Sequence, residues 1–203
     1  MYSLTFSPAS PYVRKVILAS HVAGISKSIK LLQPNEKPHL ELKYKNSLNK
    51  IPVLKTPDNN YLFDSRVIIE FFNDISGNLY PKDKNKKFIM LKYAALAEGI
   101  IDAALLYVYS NRYSGEKDPS EVWQNHQLKK IKDTLNFISD NIFEFYKLEN
   151  IYASHIGLIV ALDYLIFRKI FDWKNISSNL INWHKELSLI LPAYKETLPK
   201  DIT

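Results

Sequence analysis

Residues 2–20 read YSLTFSPASPYVRKVILAS, and this stretch decides how the fold begins. Apolar and polar side chains alternate over its first five residues, a period of two that predicts a strand over residues 1–6. Pro11 suits the first position of a helix, and Ser10 suits the capping position before it. Apolar residues then recur at helical spacing as far as Gly24, which predicts a helix that ends there.

The chain continues to residue 78 with the signals of an α/β unit. Asp58-Asn59-Asn60 is a turn cluster between two short apolar runs, which predicts a hairpin. The other predicted elements are a strand at residues 28–33, a weak helix at 38–46, the hairpin strands at 52–55 and 61–63, and a helix at 65–75.

Strand signals stop after residue 78. Residues 79–86 are polar and include a proline, which predicts a linker, and the chain beyond them is helical in period. We therefore predict an α/β domain at residues 1–78, a linker at 79–86 and an all-helical domain at 87–203.

The composition narrows the classes of function. The 203 residues include no cysteine, which excludes disulfides, thiolate metal sites and a protein cysteine nucleophile. The five histidines are scattered without metal-ligand spacing, so we expect no metal site. No apolar run reaches the roughly 18–20 residues of a membrane span, and no signal-peptide pattern is present. We expect a cytoplasmic protein that does not bind membranes.

The net charge of +6 raises the question of a nucleic-acid partner. Lysines alternate with acids and aromatics along most of the chain and form no basic arm, so we expect no such partner. Local lysine excesses lie at residues 37–55 and 82–87. A solvated surface accounts for both, and the first would also attract a small anionic ligand.

Pro52 opens a predicted strand without an amide donor, so the strand edge there stays partly unpaired. An ordinary trans proline explains this position. If the Ile51–Pro52 bond is cis, the backbone of Ile51 turns outward and can pair with another extended chain.

Two predicted helix starts carry groups that suit either capping or ligand binding. Asp64 and Ser65 lie at the start of the helix at 65–75, where side-chain oxygens cap free amides and where an anionic ligand is also favoured. A hydroxyl beside a carboxylate would suit the two charged groups of an α-amino acid. Ser10 likewise caps a helix, and its hydroxyl could donate a hydrogen bond to a ligand anion. No neighbouring base indicates activation of Ser10 as a covalent nucleophile, which favours the donor role.

Three stretches in this order, YSLTFSPASPYVRKV, NSLNKIPVL and LFDSRVIIEF, resemble the glutathione-binding domain of cytosolic glutathione S-transferases. The resemblance is closest to bacterial serine-type members that open with S-P-x-S-P-[FY]-V-R-K. It continues through ALAEGIIDAALL (residues 95–106) and ALDYLIFRKIFDW (residues 161–173). It implies a thioredoxin-like N-terminal domain of βαβ-α-ββα order, an all-helical C-terminal domain, and a homodimer that binds glutathione at the domain junction.

The resemblance also implies roles for individual residues. Ser10 falls at the position of the catalytic hydroxyl, which would stabilise the glutathione thiolate. The implied glutathione contacts are Lys37 and Lys50 at the glycyl carboxylate, Ile51 with a cis Pro52 at the cysteinyl backbone, Asp64 and Ser65 at the γ-glutamyl group, and Asp102 from the partner subunit. Ala9 and Tyr107 are weaker candidates for the electrophile pocket. Read without the resemblance, Glu98 and Asp102 form a solvated helix face.

The chain departs from the family pattern in two places. Asn49 stands where the family's Asn-Pro-x-Gly-Lys-[VI]-Pro has glycine, and asparagine tolerates the left-handed backbone that glycine adopts. The family's core helix begins with Ser or Thr, two residues and Asp, whereas this chain has Ser154-His155-Ile156-Gly157. Because glycine cannot reach back to the capping residue, we expect a weakened helix start.

The expected function is that of a glutathione transferase, a detoxification enzyme that joins glutathione, its co-substrate, to small hydrophobic electrophiles without a metal. Reduction of organic hydroperoxides stays open. The alternative is a non-catalytic binding protein that reuses the fold, as the RNA polymerase-associated stringent starvation protein A does. The joint retention of Ser10, Pro52, Asp64 and Ser65 favours the enzyme, because an interaction module does not need this set.

Overall fold

The computed structural model describes residues 1–115, 118–145 and 147–201. Its strands all lie in the first part of the chain, in the predicted order. The elements of this α/β part are β1 (Tyr2–Thr5), α1 (Pro11–Val22), β2 (Ile29–Leu32), α2 (Lys37–Lys43), β3 (Leu54–Lys55), β4 (Tyr61–Leu62) and α3 (Ser65–Ser76). The helices that follow are α4 (Lys84–Arg112), α5 (Glu121–Asp140), α6 (Ile142–Phe145), α7 (Ala153–Phe167) and α8 (Ser178–Ile190).

The four strands form one mixed sheet in the order β2-β1-β3-β4. β1 and β2 are parallel, with α1 as their crossover, whereas β3 is antiparallel to both β1 and β4. This is the thioredoxin-like arrangement. Together with the helices from α4 onward it confirms the predicted fold class, while the exact domain and linker bounds stay predictions.

Glycines end two of the predicted helices. Gly24 and Gly77 follow α1 and α3 with φ angles of 73° and 69°, the left-handed conformation that closes a helix at little steric cost. The end at Gly24 was predicted from the sequence and is confirmed, and the helix predicted at 65–75 ends at Ser76.

The main apolar core is shared by the α/β part and the helices. Leu4, Val16 and Phe72 from the sheet, α1 and α3 belong to the same buried cluster as Ile101 of α4 and Leu162 of α7. α7 packs against both α1 and α4. On the other face of the sheet, α2 covers a small separate cluster of Leu32, Leu42 and Val53. The first turns of α1 are therefore held between the sheet and the helical part.

The start of α7 differs from the sequence prediction. The helix begins at Ala153, so the capping residue is Tyr152 and not Ser154. His155 replaces the family's aspartate, because its Nδ1 accepts a hydrogen bond from the backbone N–H of Tyr152 at 3.0 Å. The other ring nitrogen, Nε2, donates to the carbonyl of Phe145 at 3.1 Å. The expected loss of the bond to the capping amide was wrong, because His155 supplies that bond. The side chain of Tyr152 itself makes no capping hydrogen bond.

Gly157 lies where α7 approaches α4. A Cβ atom added at this position would lie 3.2 Å from the Cβ of Ala97, tighter than ordinary van der Waals contact. The glycine thus permits close packing of the two helices.

Within the residues that the structure describes, no helix is both long and apolar enough to cross a membrane.

Candidate functional site

The topology brings the predicted ligand-binding residues to one edge of the sheet. β1 and β4 end at this edge, and the antiparallel β3 begins there. Ser10 follows β1, Ile51 and Pro52 precede β3, and Asp64 and Ser65 follow β4. The same edge therefore holds the N-termini of α1 and α3, the positive ends of the two helix dipoles.

Ser10 is the capping residue of α1. Its Oγ accepts a hydrogen bond from the backbone N–H of Val13 at 3.3 Å, and Pro11 occupies the first helical position. A hydroxyl can accept and donate at the same time, so capping leaves its proton available for another acceptor. The geometry makes the capping and donor interpretations of Ser10 compatible.

The Ile51–Pro52 peptide bond is cis. Thr5 holds Val53, the residue after Pro52, in place. The backbone N–H of Thr5 donates to the Val53 carbonyl at 3.1 Å, and its Oγ1 accepts from the Val53 N–H at 2.8 Å. Among the described residues, neither the N–H nor the carbonyl of Ile51 has a backbone hydrogen-bond partner. The extended segment before β3 can therefore pair with an added strand-like ligand.

Asp64 and Ser65 differ in how their polar atoms are satisfied. Asp64 caps α3 by accepting from the Arg66 N–H at 2.9 Å, and the Arg66 side chain also binds its carboxylate at 2.9 Å. Burial opposes ionisation of Asp64, but these hydrogen bonds outweigh it and hold its pKa below the usual value. Ser65 is 1% exposed, and its Oγ has no hydrogen-bond partner among the described residues. A buried hydroxyl without a partner is rare, and a ligand is one way to satisfy it.

The loop before Pro52 is organised by Asn46. Its side chain donates to the Lys50 carbonyl at 3.0 Å and accepts from the Leu48 N–H at 3.0 Å. Asn49 has a φ of 52°, which confirms that asparagine takes the left-handed conformation in place of glycine. The side chain of Lys50 is exposed. Lys37 is also exposed, and its Nζ lies 3.6 Å from Oε1 of Glu41. The assignment of either lysine to a glycyl carboxylate stays a prediction.

The remaining predicted residues lie on the side of the helical part. Asp102 on α4 accepts a hydrogen bond of 2.5 Å from the hydroxyl of Tyr12 in its own chain. Burial and this hydrogen bond raise the pKa of Tyr12, so it remains a donor at neutral pH. Ala9 and Tyr107 are half-buried. The predicted roles of Asp102 at a partner's glutathione and of Ala9 and Tyr107 at an electrophile stay predictions.

Sequence reasoning missed two buried ion pairs between α1 and the helical part. Arg14 is 4% exposed and binds Asp163 of α7 at 2.7 Å. Lys15 is similarly buried and pairs with Glu98 of α4. The interpretation of Glu98 as part of a solvated face was wrong. The only sequence signal was the position of these two basic residues inside an otherwise apolar helix.

Asp163 is the centre of a larger network. His184 Nε2 lies 2.7 Å from its Oδ1, and the Tyr194 hydroxyl donates to the same oxygen at 3.1 Å. Burial of Asp163 favours its neutral form, but the hydrogen bond from His184 and the charge of Arg14 hold its pKa below the usual value. This network joins α1, α7, α8 and the segment after α8.

A cavity of about 640 Å³ lies beside this network and is lined in part by Arg14, Ile17 and His21 of α1. Phe6, Pro8, Ile17, Leu31 and Leu198 form much of its wall. None of the residues predicted to bind glutathione lines it. The cavity therefore shares no residue with the predicted glutathione site, although Phe6, Ser7 and Pro8 belong to the loop that carries Ser10.

Comparison with known proteins identifies what this architecture belongs to. Residues 9–75 match the family model of the glutathione S-transferase N-terminal domain, a range that includes Ser10, Pro52 and Ser65. The uncharacterized GST-like protein YibF of Escherichia coli (strain K12) is 28% identical over 174 residues, which are 82% of this chain and 83% of that protein.

Two solved structures cover nearly the whole chain. A glutathione transferase family member from Pseudomonas fluorescens Pf-5, solved with bound glutathione, is 31% identical with a TM-score of 0.89 and covers 99% of this chain and 100% of its own. A glutathione S-transferase from Methylobacillus flagellatus KT, also solved with glutathione, is 28% identical with a TM-score of 0.86 over 98% and 100% of the two chains. The chain belongs to the glutathione S-transferase family.

Proposed function

We propose that this protein is a serine-type glutathione S-transferase that activates the thiol of glutathione for attack on small hydrophobic electrophiles. The observation that carries the proposal is the buried Ser65 hydroxyl, which has no partner among the described residues and stands at a helix start beside Asp64. Relatives of the same family bind glutathione in their crystal structures. Glutathione supplies the acceptor that this hydroxyl lacks.

The charged and backbone groups at the sheet edge match the groups of glutathione. Ser65 and the free amides at the start of α3 would hold the γ-glutamyl carboxylate, and Asp64 its ammonium. The unpaired backbone of Ile51 would pair with the cysteinyl backbone in the manner of an added strand. Lys37 and Lys50 would balance the glycyl carboxylate. This binding mode places the thiol near the start of α1.

Ser10 would then donate its hydroxyl proton in a hydrogen bond to the thiolate. A free thiol has a pKa near 8.5, and lowering it by about two units requires about 2.7 kcal/mol of differential stabilisation. A charge-assisted hydrogen bond contributes roughly 1.5–3 kcal/mol, and the α1 dipole adds to it. The thiolate attacks the electrophilic carbon, a sulfur–carbon bond forms, and the leaving group departs with its electron pair.

Reduction of organic hydroperoxides would use the same thiolate. Its attack on the O–O bond releases an alcohol and leaves a glutathione sulfenic acid, which a second glutathione converts to glutathione disulfide and water.

We further propose that the protein acts in cytoplasmic detoxification as a homodimer. Exposed apolar side chains on α3 and α4, among them Val67, Ile75 and Phe88 at 48%, 47% and 61% exposure, support the homodimer. Sedimentation equilibrium tests it directly.

The decisive experiment compares Ser10→Ala with Ser7→Ala, a matched change three residues earlier in the same loop. We expect Ser10→Ala to lower kcat/KM for an aryl halide by about 100-fold, the usual effect of removing one donor to a developing anion. The pKa of bound glutathione, measured by the absorbance of the thiolate, should rise in the same variant. Ser7→Ala should leave both unchanged.

Equal activity of the two variants would contradict the role of Ser10. Calorimetric titration of the wild type with glutathione separates the two function classes. If the protein binds no glutathione, the proposed enzyme is wrong and the non-catalytic alternative is favoured.

A further inference from the structure

A row of polar side chains crosses all four strands on the sheet face that carries α2. The pairing register places Ser3 of β1 opposite Lys30 of β2 and opposite Lys55 of β3, and Lys55 opposite Tyr61 of β4. Residues opposite each other in a sheet point to the same face. The register therefore aligns two lysines and two hydroxyls side by side.

This row stays uncovered because α2 is short. Its seven residues cover the apolar end of the face, where Leu32, Leu42 and Val53 cluster. Beyond that end, the polar row and the side of α2 enclose a pocket of about 280 Å³, to which α2 contributes Glu41 and the following turn contributes Lys45. A pocket of this volume has room for several water molecules or one small solute.

The pocket is cationic and its donors are unused. Lys30, Lys45 and Lys55 line it, and within the described part of the chain none of the three forms an ion pair. Its one acid, Glu41, is 64% exposed and lies 3.6 Å from Lys37, a lysine outside the pocket. The ammonium of Lys45 lies 5.4 Å from the centre of the Tyr61 ring.

Lys30 and Lys55 lie on the two strands that flank Ser3, so an anion over Ser3 would be attracted by both. Ser3 and Tyr61 also line the pocket, and the hydroxyl of each can donate to an acceptor that lies over the row. An anion with several oxygens and a charge of two or more would use all of these donors. A carboxylate offers only two oxygens and one charge, so a phosphate-bearing group fits the pocket better.

We propose that this pocket, formed by Lys30, Ser3, Lys55, Tyr61 and Lys45, binds the phosphate-bearing group of a small anion. It is separate from Pro52 and Ser65 of the proposed glutathione site, because Lys55 ends β3 and Tyr61 begins β4 at the opposite sheet edge. Lys37, the proposed contact of the glycyl carboxylate, adjoins the pocket through its ion pair with Glu41. The inference does not depend on the proposed transferase activity.

The test is calorimetric titration of the full-length protein with inorganic pyrophosphate in a phosphate-free buffer of about 50 mM ionic strength, where screening is weak. The test variant is Lys30→Gln with Lys55→Gln, and the matched control is Lys174→Gln with Lys185→Gln, which removes two exposed charges from the helical part. We expect one pyrophosphate per chain, an affinity about five- to tenfold lower in the test variant, and no loss in the control. Circular dichroism checks that both variants fold.

Two further arms separate the sources of the anion. Adenosine diphosphate that binds no better than pyrophosphate indicates a free inorganic ligand, whereas tighter binding indicates a nucleotide whose base contacts the protein. Saturating glutathione should displace neither. Equal pyrophosphate binding by the test and control variants, or binding of an oligonucleotide but not of pyrophosphate, would overturn the proposal.

Discussion

The first turns of α1 and the start of α3 differ in whether their buried polar side chains have partners. Arg14 and Lys15 are buried, and each meets an acid from the helical part. Ser65 is equally buried, but its hydroxyl has no partner among the described residues. Buried charges without partners destabilise a fold by several kcal/mol, whereas one unpaired hydroxyl is tolerable.

This difference distinguishes residues that hold the two parts of the chain together from residues that can bind a ligand. Arg14 and Lys15 of the S-P-x-S-P-[FY]-V-R-K pattern form the ion pairs that join α1 to α7 and to α4. Ser10 and Ser65 keep donor capacity at the sheet edge that also holds Ile51 and Pro52. We therefore expect substitutions in the first group to change stability, and substitutions in the second to change glutathione binding.

The largest effect is expected from breaking the Arg14–Asp163 pair. Arg14→Gln should lower the free energy of unfolding by about 3–5 kcal/mol, because Asp163 would stay buried without its main counter-charge. Urea denaturation followed by tryptophan fluorescence measures the change. The control is Lys129→Gln, which breaks an exposed i,i+4 pair with Asp133 and should cost less than about 0.5 kcal/mol. Similar losses in both variants would show that the buried pair does not hold the two parts together.

The second prediction concerns His155, another buried and fully paired group. Burial lowers its pKa from 6.5 to about 4, against the hydrogen bond to the Phe145 carbonyl. Between these pH values the unfolded chain binds the proton and the folded chain does not, so the contribution of His155 to stability is present above pH 6.5 and is lost on acidification. The shift corresponds to about 3 kcal/mol.

The matching variant is His155→Asn, whose amide does not titrate. The stability difference between the wild type and this variant should shrink by about 3 kcal/mol between pH 7 and pH 4, as measured by urea denaturation at each pH. The control is Asn125→Ala, an exposed exchange between two side chains that do not titrate, and it should give a difference that does not depend on pH. If His155→Asn also gives a constant difference, the histidine is not held neutral in the fold.

Much of the fold could be predicted because its signals are local. Ser10 with Pro11 begins α1, Gly24 and Gly77 end helices, and the turn cluster at residues 58–60 makes the hairpin. The motif order then supplied the family, which the comparisons show. Each of these signals lies within a few residues of the structure that it determines.

The ion pairs could not be predicted because their partners lie far apart in sequence. Arg14 and Asp163 are 149 residues apart, and Lys15 and Glu98 are 83 apart. Spacing along one helix cannot show which distant helix an exposed-looking acid will meet. His155 was missed for a different reason: the family pattern puts an acid two residues later, and a ring nitrogen can perform the same capping function.

The third prediction tests the open side of the comparison. Ser65→Ala should lower the affinity for glutathione by about tenfold, the loss of one hydrogen bond to a charged group. It should leave the free energy of unfolding unchanged or slightly higher, because the removed hydroxyl has no partner. Ser76→Ala is the control on the same helix: its hydroxyl donates to the Phe72 carbonyl at 3.0 Å, so it should cost stability and leave the glutathione affinity unchanged. A stability loss in Ser65→Ala without any change in affinity would place Ser65 among the structural groups.

The smallest effect is expected at the Tyr12–Asp102 hydrogen bond, which combines features of both groups. It joins α1 to α4 as the ion pairs do, but Asp102 is exposed and water competes for its carboxylate. A double-mutant cycle of Tyr12→Phe and Asp102→Asn should give a coupling of about 0.5–1 kcal/mol in the free energy of unfolding. A coupling near zero would mean that the contact contributes nothing to joining the two parts. The comparison between α1 and α3 requires that buried contacts stabilise the fold more than exposed contacts do. A coupling as large as the loss expected for Arg14→Gln would contradict this requirement.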